Sequence, residues 1–227
     1  MTKFLPILLV VLYAVLMMRF SVWRTRRMLD ERSQPLTDPS ITRLADRMAA
    51  AMGIPEIKVS VFEVEPVNGL AAPDGRIFLT RGFLNRKAQG EVTAEELASV
   101  IAHEMGHVAQ GHMRRRMIDF TGQNAVFVML SALLSRFLPF IGVWIANLIS
   151  TALMARLSRR DEFEADAWAT ALLIKAGIGT GPQKSLFRKL EALTQNRAEG
   201  VPAWLLSHPH VEERIAAIEA NEARWVG

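Results

Sequence analysis

The stretch Ala102-His103-Glu104-Met105-Gly106-His107 decides how the rest of the chain reads. It has the pattern HExxH and lies in a segment, Thr93 to Met113, that is expected to be helical. Thr93 stands three residues before Glu96, the capping-box spacing that opens a helix. Two histidines four apart on a helix share a face, so both imidazoles can reach one tetrahedral zinc. Glu104 lies beside the first of them, where a carboxylate can take a proton from water that the metal has activated. Leu97, Val100, Ile101 and Val108 are expected to back this helix against the core.

A catalytic zinc takes three protein ligands and keeps one open position. The longer pattern HExxHxxGxxH would need glycine at Gln110 and histidine at Met113. His112 misses that spacing by one and reads as a surface residue near the helix end. Glu162 opens Glu162-Phe163-Glu164-Ala165-Asp166, in which Glu162 and Asp166 share a helix face. Glu162 can ligate zinc while Asp166 hydrogen-bonds the free ring nitrogen of a ligand histidine. Glu164 is the rival and points away from Asp166. Taken alone, the pattern equally suits two acids on a solvated face. His208, in Ser207-His208-Pro209-His210, has four readings: a donor behind the ligands, a stabiliser of the oxyanion, a temporary fourth ligand that closes the site, or an ordinary loop histidine.

Around these residues the pattern is mixed. Asp38-Pro39 is a helix start, and the apolar stripe Ile41, Leu44, Ala45, Met48 and Met52 runs to a stop at Gly53. Ser33 to Pro39 reads as a linker. Ile57 to Val64 alternates as a strand does. Val67 to Ala72 is a second short strand, Pro73-Asp74-Gly75 a turn, and Arg76 to Thr80 a third strand. These strands are either a meander under a helical layer or a ledge that holds a peptide by edge pairing. Helices are expected over Pro182 to Asn196 and Val211 to Trp225, with Arg197 to Pro202 a loop between them.

Half the residues are apolar and the mean hydropathy is +0.16, which points to membrane contact. Phe4 to Met18 is almost wholly apolar and, with Phe20 to Trp23, just long enough to span a bilayer. It lacks the small-residue cleavage site of a signal peptide, so it reads as an uncleaved anchor. Arg19, Arg24, Arg26, Arg27 and Arg32 follow it and, by the positive-inside rule, place the catalytic part in the cytoplasm. A periplasmic domain behind the same anchor is the alternative. A second apolar region, Phe120 to Ala155, has Arg114 to Arg116 before it and Arg156, Arg159 and Arg160 after it. If Glu162 shares a metal with His103, this region crosses the bilayer twice or not at all. It is either a hairpin that enters the membrane or one buried in a soluble domain. The net charge of +4 is read as membrane-flanking charge, since no segment resembles a nucleic-acid module. The absence of cysteine excludes disulfides and thiolate-bound zinc.

The blocks together resemble the membrane gluzincin peptidases, the family that includes the heat-shock protease HtpX and the CAAX prenyl proteases. Asn68-Gly69-Leu70-Ala71 resembles the family's Asn-Ala-Phe-Ala strand, departing from it at Gly69-Leu70. Gly75 to Leu84 resembles the strand-turn before the zinc helix, Ser158-Arg159 to Asp166 the third-ligand segment, and His208-Pro209 to Arg214-Ile215 the C-terminal element. The resemblance implies one zinc per chain held by His103, His107 and Glu162, with Glu104 as catalytic base and Asp166 in support. It further implies a catalytic or gating role for His208 and substrate contact at Asn68. HtpX-like chains usually carry two apolar segments before the domain and this one carries one. CAAX prenyl proteases have many more spans, which makes prenylated substrates a poor match. The expected fold is α+β, a mostly helical zincin-like domain with a small β-sheet, an N-terminal transmembrane anchor and an apolar helical hairpin. The expected organisation is an anchor and basic flank over 1–32, then a zinc metallopeptidase domain over 33–227 with the hairpin inserted at 120–156. The expected activity is zinc-dependent endoproteolysis of protein or peptide substrates at the inner (plasma) membrane, in protein quality control. The expected partners are the substrate and the lipid bilayer, without nucleic acid. A catalytically silent zinc-binding scaffold or chaperone is the alternative, and a helical membrane protein with a chance HExxH is a second.

Overall fold

A small mixed sheet and a set of helices surround the HExxH segment in the computed structural model, which describes residues 5–72, 74–112, 127–128, 130–139, 141–195 and 211–226. The elements in chain order are α1 (Leu5–Glu31), β1 (Ser33–Pro35), α2 (Pro39–Met52), β2 (Val59–Phe62), β3 (Gly69–Ala71), β4 (Ile77–Thr80), α3 (Arg81–Ala88), α4 (Ala94–Ala109), α5 (Gly142–Lys175), α6 (Gly181–Gln195) and α7 (Val211–Val226). The chain divides into two compact units, Met1–Glu31 with His112–Ser158, and Arg32–Gly111 with Arg159–Gly227. The division falls within α5.

The second unit holds the sheet, in the order β1-β2-β4-β3. β2 and β4 run parallel, with Val59 opposite Ile77, while β1 and β3 pair antiparallel on the two outer sides. The strands are therefore not a meander. The expected linker is also corrected: Ser33–Pro35 is an edge strand, with Pro35 opposite Ser60. An edge tolerates proline because its missing N–H need not join the ladder.

α2 starts and stops as its sequence predicts. Asp38 accepts from the Ser40 and Ile41 amides, and Gly53 closes the helix at φ 71°. α4 is the centre of the unit and packs against α2, β3, β4 and α6. Its capping box is complete: the Glu96 amide donates to Thr93 Oγ1 at 3.1 Å and the Thr93 amide to Glu96 Oε2 at 2.8 Å. Ser185 and Lys189 of α6 also bond the Glu96 carboxylate, at 2.6 and 2.9 Å, so the cap is tied to its neighbour. Every residue from Glu96 to His107 is buried. The helix is thus enclosed all round, not backed on a single face.

The first unit contains α1, a helical stretch over 130–137, a break at Leu138-Pro139, and the start of α5. Gly142 lies so close to Leu134 and Ser135 that a Cβ there would meet their backbone at 2.6 Å. Large apolar side chains are exposed on both parts: Tyr13 65%, Phe20 53%, Trp23 53%, Phe137 70% and Trp144 66%. Among the described residues no helix is long and apolar enough to cross a membrane. His112, expected at the surface, is fully buried; spacing excludes it from the HExxH ligand set but does not report exposure. Pro73, Arg114 to Arg116, residues 120–126, the loop Arg197 to Pro202, and His208 lie outside the described residues.

Candidate active site

α4 presents His103 and His107 one turn apart, and their Nε2 atoms face each other at 3.1 Å. α5 brings Glu162 to the same point, with Oε2 at 3.3 Å from His103 Nε2 and Oε1 at 3.5 Å from His107 Nε2. All three are buried and grouped so that each can offer one atom to a single ion. Zinc bonds of about 2.0–2.1 Å in a tetrahedron place neighbouring donor atoms about 3.3 Å apart, and the Nε2 pair and the approach of one Glu162 oxygen to each histidine are close to that figure. Glu164 is not in this group and pairs with Arg160 at 2.7 Å.

The close approach of α4 and α5 depends on Gly106. A Cβ at Gly106 would lie 2.7 Å from the carbonyl oxygen of Ala165 and 2.9 Å from its Cα. Ala165 sits between Glu162 and Asp166 in the chain, so the one position in HExxH without a side chain faces the segment that carries the third donor. The HExxH spacing by itself assigns no role to this glycine. A helix-interior glycine, which costs about 1 kcal/mol against alanine, was the available signal.

Behind the histidines stands a second layer. Asp166 Oδ1 accepts from His103 Nδ1 at 2.8 Å, which turns His103 Nε2 toward His107 and Glu162. Arg214 of α7 donates Nε to Asp166 Oδ2 at 2.5 Å and Nη2 to Oδ1 at 2.8 Å. Helical spacing and composition assign no role to Arg214, which lies in the C-terminal element beside Ile215. The electrostatics follow from these contacts. Burial pushes Asp166 up, but Arg214 and the His103 bond outweigh it and hold the carboxyl below its ordinary value. Burial pushes the His103 imidazole down, yet Asp166 and Glu162 prevail and raise it to about 9. The pocket therefore favours positive charge at His103. Three buried carboxylates, Glu104, Glu162 and Asp166, face one buried guanidinium, leaving the charge that a divalent cation would balance.

Glu104 is buried beside His103, and β3 passes over it. A Cβ at Gly69 would lie 3.6 Å from Glu104 Oε1 and only 2.4 Å from Val100 Cγ1. Asn68 precedes β3 and does not belong to the strand proper. Its amide donates to Thr80 Oγ1 at 2.9 Å, and its carbonyl accepts from the Thr80 hydroxyl at 3.0 Å. Asn68 Oδ1 is buried with no hydrogen-bond partner among the described residues.

Two buried histidines one turn apart and a buried glutamate from a second helix form a group that could hold a metal ion, with a further carboxylate, Glu104, beside the first histidine. The sequence comparisons agree and are more specific. The chain belongs to peptidase family M48, whose profile matches residues 35–222. It is 28% identical over 181 residues to the metalloprotease LoiP of Escherichia coli, covering 78% of this chain and 70% of that one. It is 27% identical over 228 residues to a protease HtpX homolog of a Janthinobacterium species, covering 87% and 77%. It is 29% identical over 192 residues to a putative beta-barrel assembly-enhancing protease of Vibrio cholerae, covering 81% of this chain and 38% of that relative. The chain is a zinc-dependent metalloendopeptidase whose substrates are proteins or peptides.

Proposed function

We propose that this protein is a membrane-associated quality-control endopeptidase in which His103, His107 and Glu162 hold the zinc and Glu104 is the base. The convergence of the three side chains carries this reading: the two Nε2 atoms are 3.1 Å apart and each lies within 3.5 Å of a Glu162 oxygen. Bound there, zinc supplies Lewis-acid polarisation of a carbonyl and acidifies water. Glu104 accepts the proton of the attacking water and delivers it to the leaving amine. Asp166 holds His103 in the tautomer that presents Nε2 to the metal. β3 pairs with β4 alone among the described residues, so its outer side can take an extended peptide as a further strand. Asn68 stands at the start of that edge, and its buried Oδ1 is an acceptor suited to a substrate amide. His208 is assigned, by its place in the C-terminal element, to stabilising the oxyanion or gating the site.

The membrane part of the reading rests on the first unit. α1 is 27 residues long, exposes Leu12, Tyr13, Leu16, Phe20 and Trp23, and carries Arg19, Arg24, Arg26 and Arg27 in its C-terminal half, with Arg32 just beyond. We assign 1–32 as the anchor and 120–156 as the membrane-contacting insertion in a 33–227 peptidase domain, at the inner membrane with the catalytic part in the cytoplasm. The quality-control role follows the kind of relative, among them the putative beta-barrel assembly-enhancing protease.

Zinc content and casein cleavage for wild type and Glu104→Gln test the core of this. Glu104→Gln is expected to keep zinc and lose about 10²–10⁴-fold in cleavage. Bound zinc with cleavage indifferent to Glu104 would overturn the assignment of the base.

A further inference from the structure

α7 buries three residues, Val211, Arg214 and Ile218, spaced as one helical stripe. The middle of a buried stripe is where an apolar side chain belongs. Arg214 instead places a guanidinium there with 0% exposure. Removing such a charge from water costs several kcal/mol unless every donor is used. Its surroundings account for it. Nε and Nη2 fork onto the two oxygens of Asp166, Nη1 lies 3.7 Å from Glu162 Oε2, and Cζ stands 4.4 Å over the ring centroid of Phe187. A planar fork stacked on an aromatic face is arginine chemistry that lysine does not reproduce.

The partner of that fork is what matters. Asp166 Oδ1 accepts from both Arg214 Nη2 and His103 Nδ1, while Oδ2 is taken by Arg214 Nε. A carboxylate held by one bond can swing about its χ2 axis. Held at both oxygens by a rigid fork, it has one orientation, and the imidazole bonded to it has one as well.

We infer that Arg214 is a positioning residue for zinc, acting through Asp166 to fix the ring of His103. The inference rests on His103 being a ligand. Arg214 reaches the metal pocket from a helix far along the chain, so the last element of the fold completes a site whose ligands all come from earlier ones.

The test uses the full chain in detergent, with zinc itself as the probe, titrated against a competing chelator, and with melting temperature recorded alongside. Arg214→Met is expected to weaken zinc binding roughly 10–100-fold, the usual effect of losing a group that orients a ligand. Arg214→Lys, which keeps the charge but not the fork, is expected to fall between Met and wild type. In an Asp166→Asn background Arg214→Met is expected to have little further effect, because the route to His103 is already cut. Ile218→Ala, on the same stripe one turn along and without a polar group to offer Asp166, is the packing control: it lowers the melting temperature and leaves zinc affinity alone. If Arg214→Met lowers the melting temperature with zinc affinity at the wild-type value, Arg214 merely packs α7 and the inference is overturned. Effects that simply multiply with Asp166→Asn overturn it too. Should Arg214→Met fail to fold, Arg214→Lys decides by the same criterion. Loss of zinc in His103→Ala alongside retention in Arg214→Met and Arg214→Lys sinks the positioning role alone. Retention of zinc by His103→Ala sinks the ligand reading, and this inference with it.

Discussion

The two units invert each other. In Arg32–Gly111 with Arg159–Gly227 the interior carries charge: Glu96, Glu104, Glu162, Asp166 and Arg214 are each 3% exposed or less. In the other unit the surface carries hydrocarbon, with Tyr13, Phe137 and Trp144 each about two-thirds exposed. Either arrangement is unfavourable in water by itself. The first is answered inside the protein, where Glu96 meets Lys189, Asp166 and Glu162 meet Arg214, and Glu104 lies beside the histidine pair. The second has no such answer among the described residues of that unit, and lipid is the solvent the sequence suggests for it. The peptidase unit thus keeps its charged groups in a buried polar core, while the other unit, proposed to contact the membrane, is built to the opposite rule.

The largest effect expected from breaking the first half of this contrast comes from one carbon. Gly106→Ala should gain up to about 1 kcal/mol of helix propensity. It would also drive a Cβ to 2.7 Å from a backbone oxygen of α5, where no side chain can move aside. Overpacking against backbone costs about 1–3 kcal/mol or more and forces the helices apart, so the sign is destabilising. Glu162 rides on the displaced helix. Gly106→Ala is expected to lose stoichiometric zinc as well as several degrees of melting temperature, read by metal analysis and calorimetry. Full zinc content in this variant would show that the tight crossing of α4 and α5 is not what brings the donors together.

The second half is tested with a chain that lacks cysteine. Phe137→Cys and Trp144→Cys each create a unique thiol at a site exposed in the structure. In lipid vesicles both are expected to be protected from a charged maleimide by roughly tenfold or more, since a charged reagent enters hydrocarbon only at a cost of a few kcal/mol. Glu56→Cys, exposed on the peptidase unit, should label equally fast in vesicles and detergent. Equal labelling of all three positions would mean that water, not lipid, faces these aromatics.

What could be read from the sequence was local. His103 with His107, Glu162 with Asp166, Thr93 with Glu96 and Asp38 with Gly53 are pairs or ends fixed by helical spacing and capping chemistry, and helices repeat those spacings faithfully. What escaped needed the third dimension. Ser33–Pro35 has too few residues to show an alternation, so only its pairing with β2 marks it as a strand. The parallel match of β2 with β4 skips over β3 and has no signature in the sequence between them. Arg214 looks like a surface charge until α4, α5 and α6 supply His103, Asp166 and Phe187 around it. Gly106 is one of the two free positions of HExxH, and its meaning appears only when Ala165 is set against it.

Between buried and exposed charge lies Asp38, which caps α2 and bonds Lys87 at 2.8 Å while partly open to solvent. Burial pushes its carboxyl up, but the bonds from Lys87, Ser40 and Ile41 outweigh this and hold it at about 2. A lowered acid stabilises the fold above its unfolded pKa, near 4, and that contribution fades as the pH falls through about 2. Asp38→Ala removes cap and pair together and should cost about 1 kcal/mol at pH 6, the typical worth of an N-cap. Asp38→Asn keeps the cap, since asparagine serves as well as aspartate there, and loses only the charge. Its deficit should therefore be smaller, and in urea unfolding it should shrink from pH 5 toward pH 2 as wild-type Asp38 itself becomes neutral. A deficit constant over that range would mean that the Lys87 pair adds nothing, and that this half-open charge is governed by capping alone.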